Sequence, residues 1–219
     1  MNPCDALVAD VKNKTHLSTL RFEWNLKRSK DDSIKEREVL ENLQPSKHLK
    51  NLSISGYSGT QFPRWLSDDS LPNVTSLELK DCKYSLWLPS LGLSRFLKHL
   101  TIYGLDQIVT INADFYGNNS CAFPSLKSLI FSDMKEWEEW QCMRGAFQSL
   151  ECLCVMNCPK LKGHLPEQLS YLKELIINDC EQLVAAIPRA VEIGGVKMEA
   201  SSFDMIGPLV SHKPLVFFA

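Results

Sequence analysis

Residues that could do chemistry are scattered along the chain, and few of them have the spacing of a known site. The stretch Gly56-Tyr57-Ser58-Gly59 resembles the sharp turn that exposes a nucleophilic serine, but Thr60 stands where that turn needs a glycine. No histidine is followed by glutamate, so the HExxH zinc motif is absent, and no segment has the spacing of a phosphate-binding loop. We therefore predict no catalytic residues and expect Ser58 to lie in a polar turn after a strand.

Three closely spaced cysteines, Cys152, Cys154 and Cys158, could be imagined as thiolate ligands of a metal ion. On a strand, however, Cys152 and Cys154 point to one face and Cys158 to the other, so the three would not converge. We predict no metal site and no cofactor. The chain is long for a disulfide scaffold, so we interpret its eight cysteines as reduced thiols of an intracellular protein.

The elements that position these residues follow from an internal repeat. A phrase of the form L-x-x-L-x-L, with aliphatic or aromatic substitutions, occurs seven times, and successive copies start 32, 25, 23, 29, 24 and 22 residues apart. Five of the six gaps lie in the range of leucine-rich repeats. The copies start at Leu17, Leu49, Val74, Leu97, Leu126, Leu150 and Leu172.

The ninth position of the phrase provides a second test, because leucine-rich repeats place an inward-facing Asn or Cys there. Four of the seven copies agree, and the seven residues are Asn25, Tyr57, Cys82, Leu105, Met134, Cys158 and Cys180. The phrase alternates like a strand, and one repeat cannot bury its apolar edge alone. We predict an α/β leucine-rich repeat solenoid of about seven irregular repeats, with short parallel strands on its concave face.

The same pattern predicts the domain boundaries. We expect the solenoid to cover residues 1–185, with a helical insertion at about 33–44 on the convex side, where Ser33 and Glu36 have the spacing of a capping box. The phrase fades after about residue 185. Residues 186–219 are therefore expected to form either a degenerate last repeat or a frayed tail.

The candidate binding surface consists of the side chains that alternate away from the core on the strands. The first half of this surface is polar and charged, and the second half is apolar. The apolar half either contacts a partner protein or is covered by the C-terminal tail. Trp137 and Trp140 either close the convex side or anchor a partner. The predicted concave contact residues are Arg21, Glu23, Glu78, Lys80, Tyr103, Ile130, Cys154, Met156 and Ile176.

Composition excludes several classes of function. The 219 residues include 24 basic and 26 acidic ones, so no cation excess suggests nucleic-acid binding. No apolar run is long enough to span a membrane, and the N-terminus lacks the pattern of a signal peptide. We expect a cytoplasmic protein. Four glycosylation sequons, at Asn13, Asn51, Asn73 and Asn118, favour an extracellular location instead.

Several stretches resemble the leucine-rich repeat region of plant coiled-coil NB-ARC disease-resistance proteins. They are DALVADVKNKTHLSTLRFEW, EREVLENLQPSKHLKNLSISGYSGTQFPRWL, LPNVTSLELKDCKY, FLKHLTIYGLDQIVTINADFYGNNSCAFPSLKSLIFSDMKEWEEW and LECLCVMNCPKLKGHLP, and together they cover roughly residues 4–185. The resemblance implies the sensing and autoinhibitory part of an intracellular immune receptor. Such a domain recognises a pathogen effector or an altered host protein, and restrains a nucleotide-binding module located upstream in the family.

The resemblance therefore implies a non-enzymatic module that binds proteins. The chain starts just before the repeats and ends soon after the seventh, so a fragment, a truncated product and a decoy are all compatible with it. An extracellular glycosylated receptor ectodomain is the alternative, although the L-x-G-x-I-P repeats typical of that class are missing. A serine hydrolase is a third hypothesis, disfavoured by Thr60.

Overall fold

A computed structural model describes residues 2–24, 33–67, 70–119, 121–166, 169–186, 190–193, 196–199 and 215–218 of the chain. Short strands dominate, and the loops between them include 3-10 turns at Val11–Asn13, Arg64–Leu66 and Ala113–Tyr116. In chain order the helices and strands are α1 (Pro3–Val8), β1 (Thr19–Glu23), α2 (Ser33–Asn42), β2 (Asn51–Ser55), β3 (Ser76–Lys80), β4 (His99–Tyr103), β5 (Thr110–Ile111), β6 (Ser128–Ser132), β7 (Glu139–Trp140), β8 (Cys152–Met156), β9 (Glu174–Asn178), α3 (Glu181–Ala186), β10 (Ala190–Ile193), β11 (Val196–Glu199) and β12 (Leu215–Phe218).

The main sheet has the strand order β1-β2-β3-β4-β6-β8-β9-β12. Its first seven strands are parallel, and each begins at the third residue of one copy of the repeated phrase. The last strand, β12, pairs antiparallel with β9. The predicted fold class is confirmed: the chain is a solenoid of stacked turns joined by one sheet, in which all strands except β12 run parallel.

The core lies on one side of this sheet. The strands pair in register, so equivalent apolar residues of successive repeats are neighbours on that side. Leu77, Leu100 and Leu129 are direct neighbours on β3, β4 and β6, and each is almost completely buried. A second row, from Leu79 through Ile102, continues the same pattern two residues further along the strands. Burying one such side chain stabilises the fold by about 1.5–3 kcal/mol, so the stack is held together by contacts between neighbouring turns.

The ninth position of the phrase faces inward, as predicted. All six of these residues that the structure describes are buried, whereas Asn25 lies outside the described residues. The Cys82 thiol donates to the carbonyls of Ile54 and Lys80 at 3.7 and 3.4 Å, and the Cys180 thiol donates to two carbonyls in the same manner. These cysteines therefore satisfy backbone groups where the strands bend, and all eight cysteines are free thiols.

The residue at the eighth position of the phrase adopts a left-handed conformation, which the sequence analysis did not predict. From β2 onward the residue directly after each parallel strand has a positive φ angle between 50° and 69°. Left-handed backbone is tolerated best by glycine, aspartate and asparagine, because a larger or branched side chain collides with the backbone there. The six residues at this position are Gly56, Asp81, Gly104, Asp133, Asn157 and Asp179.

A continuous aromatic cluster fills the space behind β4, β6 and β8. The rings of Trp137 and Trp140 contact Phe131 at centroid distances of 4.8 and 5.4 Å. The indole of Trp140 also donates to the Tyr116 hydroxyl at 2.8 Å. The suggestion that Trp137 and Trp140 anchor a partner is wrong, because they are only 0% and 6% exposed and their surfaces are already used in the core.

Helix α2 packs on the same side of the sheet as the core. Val39, Leu40 and Leu43 are buried, and the Trp65 indole donates to the Leu40 carbonyl at 3.0 Å. Glu36 is also buried, and its carboxylate accepts from the backbone N–H and the hydroxyl of Ser58. The capping interaction expected of Ser33 concerns a side chain outside the described residues.

The C-terminal region contains a hairpin, in which β10 and β11 pair antiparallel, and the edge strand β12. The expectation of a degenerate last repeat or a frayed tail falls largely on residues outside those described, and it stays a prediction. Across the described ranges, no helix is both long and apolar enough to cross a bilayer.

Candidate binding surface

The face of the sheet opposite the core, here named the open face, is built from the first, third and fifth residue of each parallel strand. Because the strands pair in register, these residues form three rows that run across the repeats. The middle row reads Arg21, Ser53, Glu78, Thr101, Ile130, Cys154 and Ile176. The row next to it, at the carboxyl ends of the strands, reads Glu23, Ser55, Lys80, Tyr103, Ser132, Met156 and Asn178.

The first half of the open face is polar and partly organised by its own contacts. The Ser53 hydroxyl donates to the Glu78 carboxylate at 2.7 Å, and the Lys80 ammonium lies 5.2 Å from the centre of the Tyr103 ring. Arg21, Glu23 and Lys80 are exposed. Positive and negative groups therefore alternate within a few strand spacings, which suits recognition of a surface that carries complementary charges.

The second half of the open face is apolar. Ile130, Cys154 and Ile176 are direct neighbours on β6, β8 and β9, and Met156 lies one row away. Both isoleucines and Met156 are half-buried, whereas Cys154 is only 6% exposed because its neighbours close over it. Cys154 thus belongs to the floor of this patch, and the apolar contact area consists of the two isoleucines and Met156.

Two thiols meet at the edge of this apolar patch. The sulfurs of Cys152 and Cys154 are 3.7 Å apart on the same face of β8. Burial, together with the neighbouring Cys154, raises the pKa of Cys152 to about 12, and burial also raises the pKa of Cys154. At neutral pH both groups are protonated thiols, which are poor nucleophiles and poor metal ligands.

These pKa values predict the pattern of chemical modification. With iodoacetamide at pH 8, we expect the exposed Cys4 and Cys121 to be alkylated first and Cys152 much more slowly. A pKa near 12 leaves only about one thiol in ten thousand ionised at that pH. Peptide mass spectrometry over a time course checks the order, with guanidine-unfolded protein as the control in which all sites react. Labelling of Cys152 at the rate of Cys121 would contradict this assignment.

The structure keeps the other reactive residues apart. Ser58 is buried against Glu36, and Cys158 faces the core, away from Cys152 and Cys154. Over the ranges that the structure describes, no group of three or more His, Cys, Asp or Glu side chains is placed to hold a metal ion. The open face is therefore the candidate binding surface that both the sequence pattern and the fold indicate.

Comparison with known proteins identifies the repeats. A family model described as R13L1/DRL21 leucine-rich repeats matches residues 1–105. RPP13-like protein 1 of Arabidopsis thaliana, which carries a disease-resistance name, is 34% identical over 194 residues, or 80% of this chain and 18% of the relative. A second disease-resistance protein of Arabidopsis thaliana is 35% identical over 190 residues, or 80% of this chain and 13% of its own length.

A third relative comes from another plant. Disease resistance protein RGA2 of Solanum bulbocastanum is 27% identical over 185 residues, or 82% of this chain and 17% of the relative. This chain thus spans less than a fifth of the length of each of these three proteins, and no solved structure matches it. The repeats, the fold and the relatives agree: the chain is a leucine-rich repeat solenoid of the kind found in plant disease-resistance proteins.

Proposed function

We propose that the chain is a non-catalytic protein-recognition module of an intracellular plant immune receptor. It senses a pathogen effector or an altered host protein in the cytoplasm, and it restrains a nucleotide-binding module until that partner arrives. The observation that carries the proposal is the division of one continuous open face into a charged half and an apolar half. Interfaces between proteins likewise combine apolar area with polar and charged groups.

The proposed contact residues have separate roles. Ile130, Met156 and Ile176 supply apolar area that a partner can cover, and removal of that area from water contributes most of the affinity. Arg21, Glu23, Glu78 and Lys80 supply charges that orient the partner, and Tyr103 lies beside Lys80 where the two halves meet. Complementary charges orient and select the partner, and reversal of a charge sets like charges against each other, which weakens binding.

A charge-swap variant tests this role of the open face. Arg21→Glu with Glu78→Lys exchanges two charges that lie two strands apart, and leaves the net charge unchanged. The matched control is Lys12→Glu with Glu38→Lys, because both residues are exposed and neither belongs to the open face. The probe is a purified nucleotide-binding module of the type that the family resemblance places upstream of such repeats.

We expect the Arg21 and Glu78 swap to weaken binding of that module at least tenfold, corresponding to about 1.4 kcal/mol, and the control pair to bind like the parent chain. In leaves that co-express both parts, the swap should also release the module from restraint. Equal binding and equal restraint by the parent, the swap and the control would contradict the proposal.

A glycosylated extracellular ectodomain is the second candidate, because the four sequon asparagines are all exposed. Asn51 lies on the open face, where its side chain donates to Thr19 at 3.0 Å, so a glycan there would cover the proposed contact surface. The two hypotheses therefore exclude each other at this residue. A shift of electrophoretic mobility on glycosidase treatment of plant-expressed protein favours the ectodomain, and unchanged mobility favours the intracellular module.

A further inference from the structure

A second surface lies at the amino-terminal ends of the parallel strands. The residue before each strand is joined to its counterparts by a backbone ladder, in which Lys98 donates to Thr75, Lys127 to Lys98 and Glu151 to Lys127, each at 2.8 Å. The ladder holds the backbone of these residues in one row. The complete row is Ser18, Lys50, Thr75, Lys98, Lys127, Glu151 and Lys173. We name its four lysines the lysine edge.

The lysine edge keeps most of its positive charge. Glu151 accepts from Lys127 and from Lys173, both at 2.7 Å, and these two ammonium groups lower the pKa of Glu151 to about 2. One carboxylate therefore offsets one of four lysines. Among the residues that the structure describes, no carboxylate pairs with Lys50 or Lys98. Arg95 and His99, both exposed, lie next to this row.

Exposed rings accompany three of the four lysines. Two residues before the lysine, the chain carries His48, Phe96 and Tyr171 in the triplets His-Leu-Lys, Phe-Leu-Lys and Tyr-Leu-Lys. The leucine of each triplet is buried, whereas Phe96 and Tyr171 are 55% and 66% exposed. Large exposed rings near lysines in the sequence are unusual on a surface that contacts only water, and such rings are typical of contact sites.

The opposite ends of the strands have a different character. There the turn residues include Asp81, Asp133 and Asp179, and the Asn157 side chain donates to Asp133. The two edges of the sheet therefore differ in charge although the chain as a whole is nearly neutral. Lys83 and Lys135 also lie at those ends, but the neighbouring aspartates offset them, so a partner that carries acidic groups is attracted more strongly to the lysine edge.

We propose that the lysine edge binds an extended acidic segment of a partner protein in which carboxylates alternate with aromatic or aliphatic side chains. From Lys50 to Lys173 the row covers five strand spacings, about 24 Å, which an extended segment of about eight residues spans. The carboxylates pair with the lysines, and the apolar side chains cover Phe96 and Tyr171. This surface is separate from the open face.

Nucleic acid fits the same edge less well. A row with a net charge of three neutralises too few phosphates for strong binding driven by counterion release. The rings also recur at intervals of two and three strands, about 10 and 14 Å, wider than the separation of successive stacked bases. A protein segment has no such fixed repeat, so the observations favour it.

The test uses the full chain and a fluorescein-labelled peptide of twelve residues in which Glu and Tyr alternate. Fluorescence anisotropy at low ionic strength measures its dissociation constant, and a twelve-residue uridine RNA is the competing probe. Lys50→Glu with Lys98→Glu reverses the two lysines without a described partner. Lys83→Glu with Lys135→Glu is the matched control, since both are exposed lysines at the opposite ends of the strands.

We expect the Lys50 and Lys98 variant to weaken peptide binding about tenfold or more, and the control to bind within twofold of the parent chain. Phe96→Ser with Tyr171→Ser should weaken binding of the Glu-Tyr peptide more than binding of a Glu-Ser peptide. Three outcomes overturn the proposal: no peptide binding by the parent chain, equal weakening by the test and control lysine pairs, or tighter binding of the RNA than of the peptide. Unchanged melting temperatures show that the variants are folded.

Discussion

Replacement of Leu100 by aspartate is expected to destroy the cooperative thermal unfolding of the chain. Leu100 is 1% exposed on β4, in the middle of the sheet, and it lies between Leu77 and Leu129 of the neighbouring repeats. The substitution removes about 1.5–3 kcal/mol of apolar burial. It also places a carboxylate in the core, where the described residues include no buried cation, at a cost of several kcal/mol more.

Thr101→Asp is the matched control, because Thr101 is the next residue of the same strand and points to the open face. Circular dichroism melting of both variants separates the effect of burial from the effect of charge. We expect the Leu100 variant to melt broadly, with its transition lowered by more than 10 °C, and the Thr101 variant to melt within about 3 °C of the parent chain. Equal melting of the two variants would show that the register of the stack is wrong.

Phe131→Ala is expected to destabilise the chain strongly. Phe131 is completely buried, and its ring contacts Phe115, Trp137 and Trp140 at centroid distances between 4.8 and 6.4 Å. Loss of such a ring leaves a cavity and costs about 3–5 kcal/mol. For a chain of this length that lowers the melting temperature by about 10 °C.

Phe96→Ala serves as the control for this truncation, because the Phe96 ring is largely exposed. Thermal unfolding followed by tryptophan fluorescence measures the midpoint of both variants, since Trp137 and Trp140 lie against Phe131 and report on the same cluster. The Phe96 variant should keep the midpoint of the parent chain. A Phe131 variant with an unchanged midpoint would mean that the aromatic cluster contributes little to the stack.

The seven parallel strands of the main sheet could be predicted from the sequence, because each copy of the phrase must align its leucines with those of the next copy, whereas the five other strands that the structure describes lie outside the phrase. The third residue of every copy begins a strand, and the alternation within the strand separates the core side from the open face. The inward direction of Cys82, Cys158 and Cys180 could also be predicted, because each occupies the ninth position of the phrase. A period-two pattern repeated in several copies leaves little freedom, since a slip by one residue exposes the whole leucine row.

The loops could not be predicted in the same way, because they have no period. A spacing of three residues placed Trp137 and Trp140 on one side, but it could not decide between the core and the solvent. In the structure both indoles lie in the core, where they pack against Phe131 of β6. The glycine, aspartate and asparagine residues at the eighth position of the phrase are typical of left-handed turns, so these turns are readable from the sequence.

The stack of repeats explains how a binding surface can be built without a pocket. Each turn contributes three side chains to the open face, and the leucine rows behind the sheet fix their spacing. Neighbouring repeats can therefore exchange a charge for an apolar residue without changing the core. The step from Glu78 and Thr101 to Ile130 and Ile176 along the middle row is such an exchange.

Site-specific photo-crosslinking tests the central claim, that the open face binds a protein, most directly. Benzoylphenylalanine is placed at Thr101, in the middle of the open face, and in a separate variant at Val109, an exposed residue outside that face. Both variants are irradiated with the same purified nucleotide-binding module that serves as the probe for the charge-swap variant. The account predicts adducts from position 101 that disappear when Arg21→Glu and Glu78→Lys are added, and none from position 109. Adducts from position 109 alone would contradict it.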